Sequence, residues 1–174
     1  MSAANDVSIR KLLPHESAAY RSMRLESLQQ CPAFFGTTYA EEAAITILPF
    51  EYDIQEENPS NFMLGAFVDT YLCGICGFKR EARQRTRHRG ELVQMYVRPN
   101  IAGRGIGGRI VAGVLGAAYQ DPELKQIILG VMVNNSTAIN MYRRAGFREY
   151  GKLDHYFLHD DISSSQLFMV HERI

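Results

Sequence analysis

Four glycines in six positions, Gly103, Gly105, Gly107 and Gly108, stand between a short apolar stretch and a helical one. Glycines let the backbone turn with its N–H groups pointing into a shared space, and they remove the side chains that would hold a ligand off. Behind them Ile106, Ile110, Val111, Val114 and Leu115 recur at helical spacing, with Ala117 and Ala118 as good helix formers. The N-terminus of such a helix offers unpaired N–H groups and the positive end of its dipole, which suits a phosphate or diphosphate. Arg104 and Arg109 can add charge to the same cradle.

The stretch ahead of the glycines reads as a strand. Leu92, Val93, Met95, Tyr96 and Val97 are apolar or aromatic, Gln94 interrupts them, and Pro99 ends the run. Strand, glycine turn and helix therefore form one unit. A Walker loop is excluded, because Arg109 and Ile110 follow Gly108 where Lys and Ser or Thr are required. The dinucleotide pattern Gly103-x-Gly105-x-x-Gly108 is formally present, but Arg98 to Ala102 separate it from the strand. The following strand, Gln126 to Val133, also ends in Asn134 and Asn135 instead of an acid.

The remaining pattern resembles the acetyl-CoA-binding motif of the GCN5-related N-acetyltransferases. It falls on Ala102-Gly103-Arg104-Gly105-Ile106-Gly107, with Ala102 where that signature carries Arg or Gln. A second element, Asn135-x-x-Ala138-x-x-x-Tyr142-x-x-x-Gly146-Phe147, is similar to the family's asparagine, helix and Gly-Phe segment. The resemblance covers most of the chain and implies an N-acetyltransferase with acetyl-CoA as cosubstrate, no metal, and an amine acceptor.

What the resemblance implies for single residues follows its motifs. The cofactor-binding set is Met95, Val97, Gly103, Arg104, Gly105, Ile106, Gly107, Gly108, Arg109, Asn135 and Tyr142. The backbone N–H of Met95 is the oxyanion donor, and the main chain of Val97 grips the pantetheine arm. Tyr142 matches the tyrosine that protonates the departing sulfur; a phenol of pKa ~10 carries its proton at neutral pH. Asn135 matches the asparagine beside the cofactor arm, and it is equally a helix cap. Glu91 occupies the offset at which the histone-acetyltransferase branch has its basic glutamate, with His88 as a substitute; an ordinary surface carboxylate is the competing reading. Arg143 and Arg144 can reach the 3′-phosphate of CoA. With no Ser-His-Asp constellation legible, direct attack by the amine is more economical than a covalent enzyme intermediate. Ala102 motivates the alternative of a non-catalytic acyl-CoA-binding module.

The chain that must position these groups has 174 residues, which suits a single acetyltransferase domain over 1–174. Hydrophobic residues make up 46% and charged residues 22%, an ordinary globular composition. Nineteen basic residues balance nineteen acidic ones, so a basic footprint for nucleic acid is absent. Met1 to Asp6 lacks the apolar core of a signal peptide and no apolar run is long enough for a membrane span, so a cytoplasmic location is expected. Dimerisation is common in the family, which makes a homodimer an open expectation.

In order, Val7 to Leu13 reads as a strand and Pro14 to Gln30 as a helix that Cys31-Pro32 stops. Phe34 and Phe35 beside Gly36 plug the core or wall a pocket, in the segment that forms one wall of the acceptor site in the family. The acids of Pro49 to Glu57 read as a solvated helix face, or as a surface drawing in a cationic amine. Asn61 to Val68 and Tyr71 to Phe78 form a hairpin over Asp69-Thr70. Cys73 and Cys76 lie inside an apolar strand pattern, three apart and so expected on opposite faces, as buried thiols and not as half a zinc site. Six Lys or Arg between Lys79 and Arg89 read as a solvated loop, or as a rim for an anionic ligand. Ile127 to Val133 is expected to be central and buried on both faces. Asn135 or Ser136 caps a helix that Gly146 stops, and Phe147 to Leu158 and Gln166 to Arg173 close the chain as strands. This order of elements matches the topology of the family it resembles, and the resemblance implies the fold class α/β (α+β): a mixed, mostly antiparallel sheet of six to seven strands with helices on both faces.

Overall fold

A computed structural model describes residues 7–173, so the Met1 to Asp6 segment lies outside the described residues. Seven strands form one sheet in the order β1-β2-β3-β4-β5-β7-β6. They are β1 (Val7–Lys11), β2 (Asn61–Val68), β3 (Tyr71–Arg80), β4 (Arg89–Val97), β5 (Gln126–Met132), β6 (Arg148–His159) and β7 (Ile162–Glu172). The helices are α1 (Ser17–Gln30), α2 (Tyr39–Ala43), α3 (Pro49–Gln55), α4 (Ile106–Ala118) and α5 (Ser136–Arg144). All neighbouring strands are antiparallel except β4 and β5.

Two apolar cores sandwich the sheet. On one face Ile106, Ile110, Val111 and Val114 of α4 pack with Leu92, Ile127 and Leu129. On the other, Tyr20 and Met23 of α1 and Phe50 and Ile54 of α3 pack with Met63, Ile75 and Tyr96. Burial of such side chains contributes ~1.5–3 kcal/mol each and sets the register of the strands.

The parallel pairing of β4 and β5 is what shapes the site. It lasts only for Arg89–Gln126, Gly90–Ile127 and Glu91–Ile128, after which the strands part. At the parting Gln94 has φ +55°, and Gln94 with Met95 opposes the single residue Cys76 across β3. An extra residue in one strand bends that strand and raises its twist. The bend turns β4 away from β5 and opens a V in the middle of the sheet.

Bulges also correct two sequence expectations. Leu72 faces Phe67 and Gly74 faces Ala66, leaving Cys73 as the extra residue, so Cys73 and Cys76 enter the same core instead of opposite faces. Both are free thiols. β5 is fully covered on one face, where Ile127, Leu129 and Val131 are buried in the core of α4 and α5, and unevenly on the other, where Met132 is buried, Ile128 half-buried and Gly130 exposed. Of the acids in Pro49 to Glu57, Glu56 and Glu57 are solvated as expected, but Glu51 and Asp53 are not. Glu51 is buried, accepting from the Leu48 N–H at 2.7 Å and from Arg21 at 2.7 Å, and Asp53 accepts from the Asn58 amide at 2.7 Å. Among the described residues no helix is long and apolar enough to cross a membrane.

Candidate active site

The glycine turn becomes the first turn of α4. Gly103 and Gly105 adopt φ +83° and +72°, a region in which a side chain is strained, and Gly105 is the cap residue. The first backbone bond of the helix runs from the Arg109 N–H to the Gly105 carbonyl at 3.1 Å. The N–H groups of Ile106, Gly107 and Gly108 thus have no acceptor within the helix. A Cβ at Gly103, Gly105 or Gly108 would meet nothing within 4 Å, so a hollow lies over these amides. Gly107 differs, because a Cβ there would come 2.7 Å from Met141 Sδ, and its absence lets α5 approach.

The two arginines of the turn do not converge on this hollow. Arg109 donates to the Val7 carbonyl of β1 at 2.5 Å, which directs its guanidinium away from the cradle. Arg104 is exposed and lies outside the lining of the hollow. Charge comes instead from α5: Arg144 lines the hollow, whereas Arg143 is occupied by Glu149 and Asn140. The basic β3–β4 loop sits at the other end of β4, eight strand steps and roughly 26 Å from Val97. There Arg80 pairs with Asp121 and Arg87 with Glu123, so the loop serves the sheet's opposite edge.

From the cradle a cleft of about 480 Å³ runs into the V between β4 and β5. The Arg98 N–H bonds the Cys73 carbonyl at 2.9 Å, fixing which residues of β4 face β3. Alternation then turns the main-chain groups of Met95 and Val97 toward the side where β5 has departed. Both residues line the cleft. The bulge that frees them is held from the far face of the sheet, where the fully buried Tyr20 donates its hydroxyl to Gln94 Oε1 at 2.9 Å. A non-glycine residue at positive φ costs ~1–3 kcal/mol and persists only where its surroundings impose it. Removing the hydroxyl in Tyr20→Phe should lower stability by ~1 kcal/mol, or ~2–4 °C in Tm. Gln94→Gly should make that loss smaller when combined with Tyr20→Phe, since glycine takes the same φ unaided. Thermal melts of the two singles and the double check this.

Tyr142 of α5 is 5% exposed, lines the cleft and packs edge-on against Phe147 with ring centroids 5.7 Å apart. Burial, and to a lesser degree the Cys76 thiol, pushes its phenol well above the usual range, so the group keeps its proton. No hydrogen bond among the described residues engages that hydroxyl. Asn135 is the cap of α5: its side-chain oxygen accepts from the Ala138 N–H at 3.2 Å, leaving the amide NH₂ as the group available to the cleft. Ser136 opens the helix proper.

Glu91 lies at the last β4–β5 pair, the vertex of the V, two residues from the cleft-lining Val93 on the same face. It does not itself line the cleft. Its side chain reaches solvent, yet loss of water against the sheet raises its carboxyl pKa; Glu81 pushes the same way and Lys79, across the ladder, opposes. His88 is exposed in the β3–β4 loop, and its carbonyl, not its ring, makes its contacts. Phe34 and Phe35 both line the cleft, with the Arg24 guanidinium 4.8 Å over the Phe35 ring. Gly130 is a further lining residue that the sequence reading passed over. The Gln166 amide lies where its side chain would be, and a glycine inside an apolar strand is the signal for such a close approach.

A second hollow, of about 560 Å³, sits between α1 and the β2–β3 turn. Its arginines are spent: Arg10 pairs with Glu16 at 2.7 Å and Arg98 with Glu26 at 2.8 Å. Of these two hollows, the one at α4 combines unpaired amides, open space and an uncommitted arginine, the donor set a diphosphate requires. Among the described residues no three His, Cys, Asp or Glu side chains gather as a metal site would need.

This geometry agrees with known proteins. The model of the acetyltransferase (GNAT) family matches residues 23–147. An N-alpha-acetyltransferase of Sulfurisphaera tokodaii is 32% identical over 69 residues, a segment that spans 40% of this chain and 41% of that relative. Among solved structures, the acetyltransferase of the GNAT family from Streptococcus pneumoniae superposes with a TM-score of 0.79 at 20% identity, covering 96% of this chain and 99% of that one. A phosphinothricin acetyltransferase from Sinorhizobium meliloti, solved in complex with AcCoA, gives 0.76 at 16% identity, covering 95% and 88%. The overall fold is thus shared with these structures, and, as the family model over residues 23–147 shows, the chain belongs to the acetyltransferase (GNAT) family.

Proposed function

We propose that the protein transfers an acetyl group from acetyl-CoA to a primary amine by direct attack, as one acetyltransferase domain over residues 1–174 in the cytoplasm. The observation that carries this reading is the open, glycine-lined N-terminus of α4 facing the V where β4 leaves β5. Bound there, acetyl-CoA supplies an activated thioester. The amides of Ile106, Gly107 and Gly108, with Arg144, hold the diphosphate, and the Val97 main chain and Asn135 align the arm.

The transfer breaks the acetyl carbon–sulfur bond and forms a carbon–nitrogen bond. Glu91 accepts the proton that the attacking ammonium must lose, directly or through water. The Met95 N–H donates to the acetyl oxygen as negative charge develops there, in a position fixed before the reaction by the bulge. Tyr142 gives its proton to the leaving sulfur and regains one from the second N–H proton that the nitrogen sheds as the C–S bond breaks. Burial raises its pKa, so the phenol carries its proton at neutral pH and enters the reaction as a donor.

Glu91→Gln tests the base. Turnover at pH 7 should fall about tenfold, less than the ~10²–10⁴ typical of general bases, because water reaches this carboxyl. Stability should move the other way. Since the folded-state pKa is raised, Glu91 favours the folded state fully below its unfolded pKa and loses that contribution as pH rises through the folded value. At neutral pH the Gln variant should therefore melt at the same temperature or higher. Release of free CoA thiol, measured over an amine panel and a pH series, decides the function. Tight acetyl-CoA binding without turnover of any amine would indicate a non-catalytic acyl-CoA-binding module.

A further inference from the structure

We infer, building on the acetyl-transfer reading, that the acceptor is an amine carried next to an apolar, ring-sized group, and not a polycation such as a polyamine. The wall of the cleft opposite α4 consists of Cys31, Phe34, Phe35 and Val93, none of them charged. Phe34 is 40% exposed in the folded protein, an aromatic ring left uncovered at the mouth of a cleft.

The wall is closed at its outer edge by a contact between distant segments. Phe157 of β6 lies against Gly36, so close that a Cβ there would sit 2.5 Å from the ring's Cζ. The β6–β7 hairpin thereby meets the loop that carries Phe34 and Phe35, and the entry on this side is an apolar passage.

A polycation is held by carboxylates, and among the described residues no Asp or Glu lines the cleft, while several acids outside it already have partners. Glu42 is bound to Arg24 at 2.6 Å, and Glu26 to Arg98 at 2.8 Å and to the Tyr96 hydroxyl at 3.1 Å. Glu41 accepts from the Thr38 N–H at 2.7 Å. Asp154 is held by Lys152 at 2.8 Å and the Ser165 hydroxyl at 2.9 Å. Among the described residues the one charged side chain that lines the cleft is Arg144, on the cradle side, so the lining offers a polycation no carboxylate. Glu91 can receive one amine, and a further ammonium on the same acceptor would lie against phenylalanine without a partner.

The test compares phenethylamine and a short peptide with N-terminal phenylalanine against spermidine and free lysine, all with acetyl-CoA. The aromatic acceptors should show kcat/KM about 10- to 100-fold above spermidine, the discrimination that burying one ring provides. Phe34→Ala should remove most of that preference through KM of the aromatic amines, with acetyl-CoA affinity unchanged, and Phe34→Leu should restore part of it. Spermidine or lysine turning over as fast as phenethylamine would overturn this assignment while leaving acetyl transfer intact. A Phe34→Ala effect equal on all four amines would do the same. Failure to acetylate any amine despite acetyl-CoA binding would overturn both this inference and the reading beneath it.

Discussion

Tyr142→Phe should lower kcat by about 10²- to 10³-fold while leaving acetyl-CoA affinity within about twofold of wild type. The change deletes one oxygen from a side chain that is already buried among apolar neighbours, so the packing against Phe147 is retained. What is lost is the phenol that α5, a rigid helix, presents to the cleft beside the arm of the V. Without it the sulfur departs as a thiolate, or waits for water to reach a site walled by Val131, Met141 and Ala138. The effect should shrink with acyl donors whose leaving thiols are more acidic, since these need less protonation. Steady-state kinetics with two such donors, alongside calorimetry of acetyl-CoA binding, separate loss of the acid from loss of structure. A kcat unchanged in the variant would return Tyr142 to the role of a core aromatic.

Gly108→Glu should abolish tight acetyl-CoA binding and leave the fold intact. Gly108 is the third residue of α4, and a side chain added there meets nothing within 4 Å. Glutamate is favoured at that point of a helix, adding ~0.3–1 kcal/mol through the dipole. Its carboxylate would occupy the hollow the diphosphate needs. Two unit charges ~5 Å apart at an effective dielectric near 20 repel by ~3 kcal/mol, so affinity should fall by at least about 10²-fold. Gly116→Glu, at an exposed and equally open position of the same helix, is the matched control and should bind normally. A binding loss common to both variants would reflect net charge. A loss confined to Gly108→Glu, with Tm unchanged or raised, locates the ligand.

The cradle was legible in the amino-acid sequence because its determinants are local. Glycines at positive φ, a following apolar helix and a preceding strand all fall within Glu91 to Ala118. The order of strands and helices followed from strand-length and helix-length apolar runs, and the mixed sheet of six to seven strands from the family that this order and the glycine motif resemble. What escaped notice depends on partners far away along the chain. The bulge at Gln94 is stabilised by Tyr20, 74 residues earlier, and nothing near Gln94 marks it except a polar residue in an apolar strand. The same irregular pairing brings Cys73 and Cys76 to one face, against the alternation that spacing alone would predict. Arg109 looked like part of the cradle because it is next to it in sequence. Helical geometry swings it round to β1, and Arg144, from a different helix, lines the hollow in its place. Glu51 and Asp53 read as solvated acids because their partners, Arg21 and Asn58, are evident only once α1 and the α3–β2 turn are packed.

The central claim is that the unpaired amides opening α4 grasp the diphosphate of coenzyme A, and backbone ¹⁵N–¹H spectra recorded during an acetyl-CoA titration test it most directly. The account predicts that the largest shifts, saturating together, belong to Gly103 through Gly108, with Met95 and Val97 following. Shifts gathered instead around Arg10 and Asp69 at the second hollow, or an α4 N-terminus that does not respond, would contradict it.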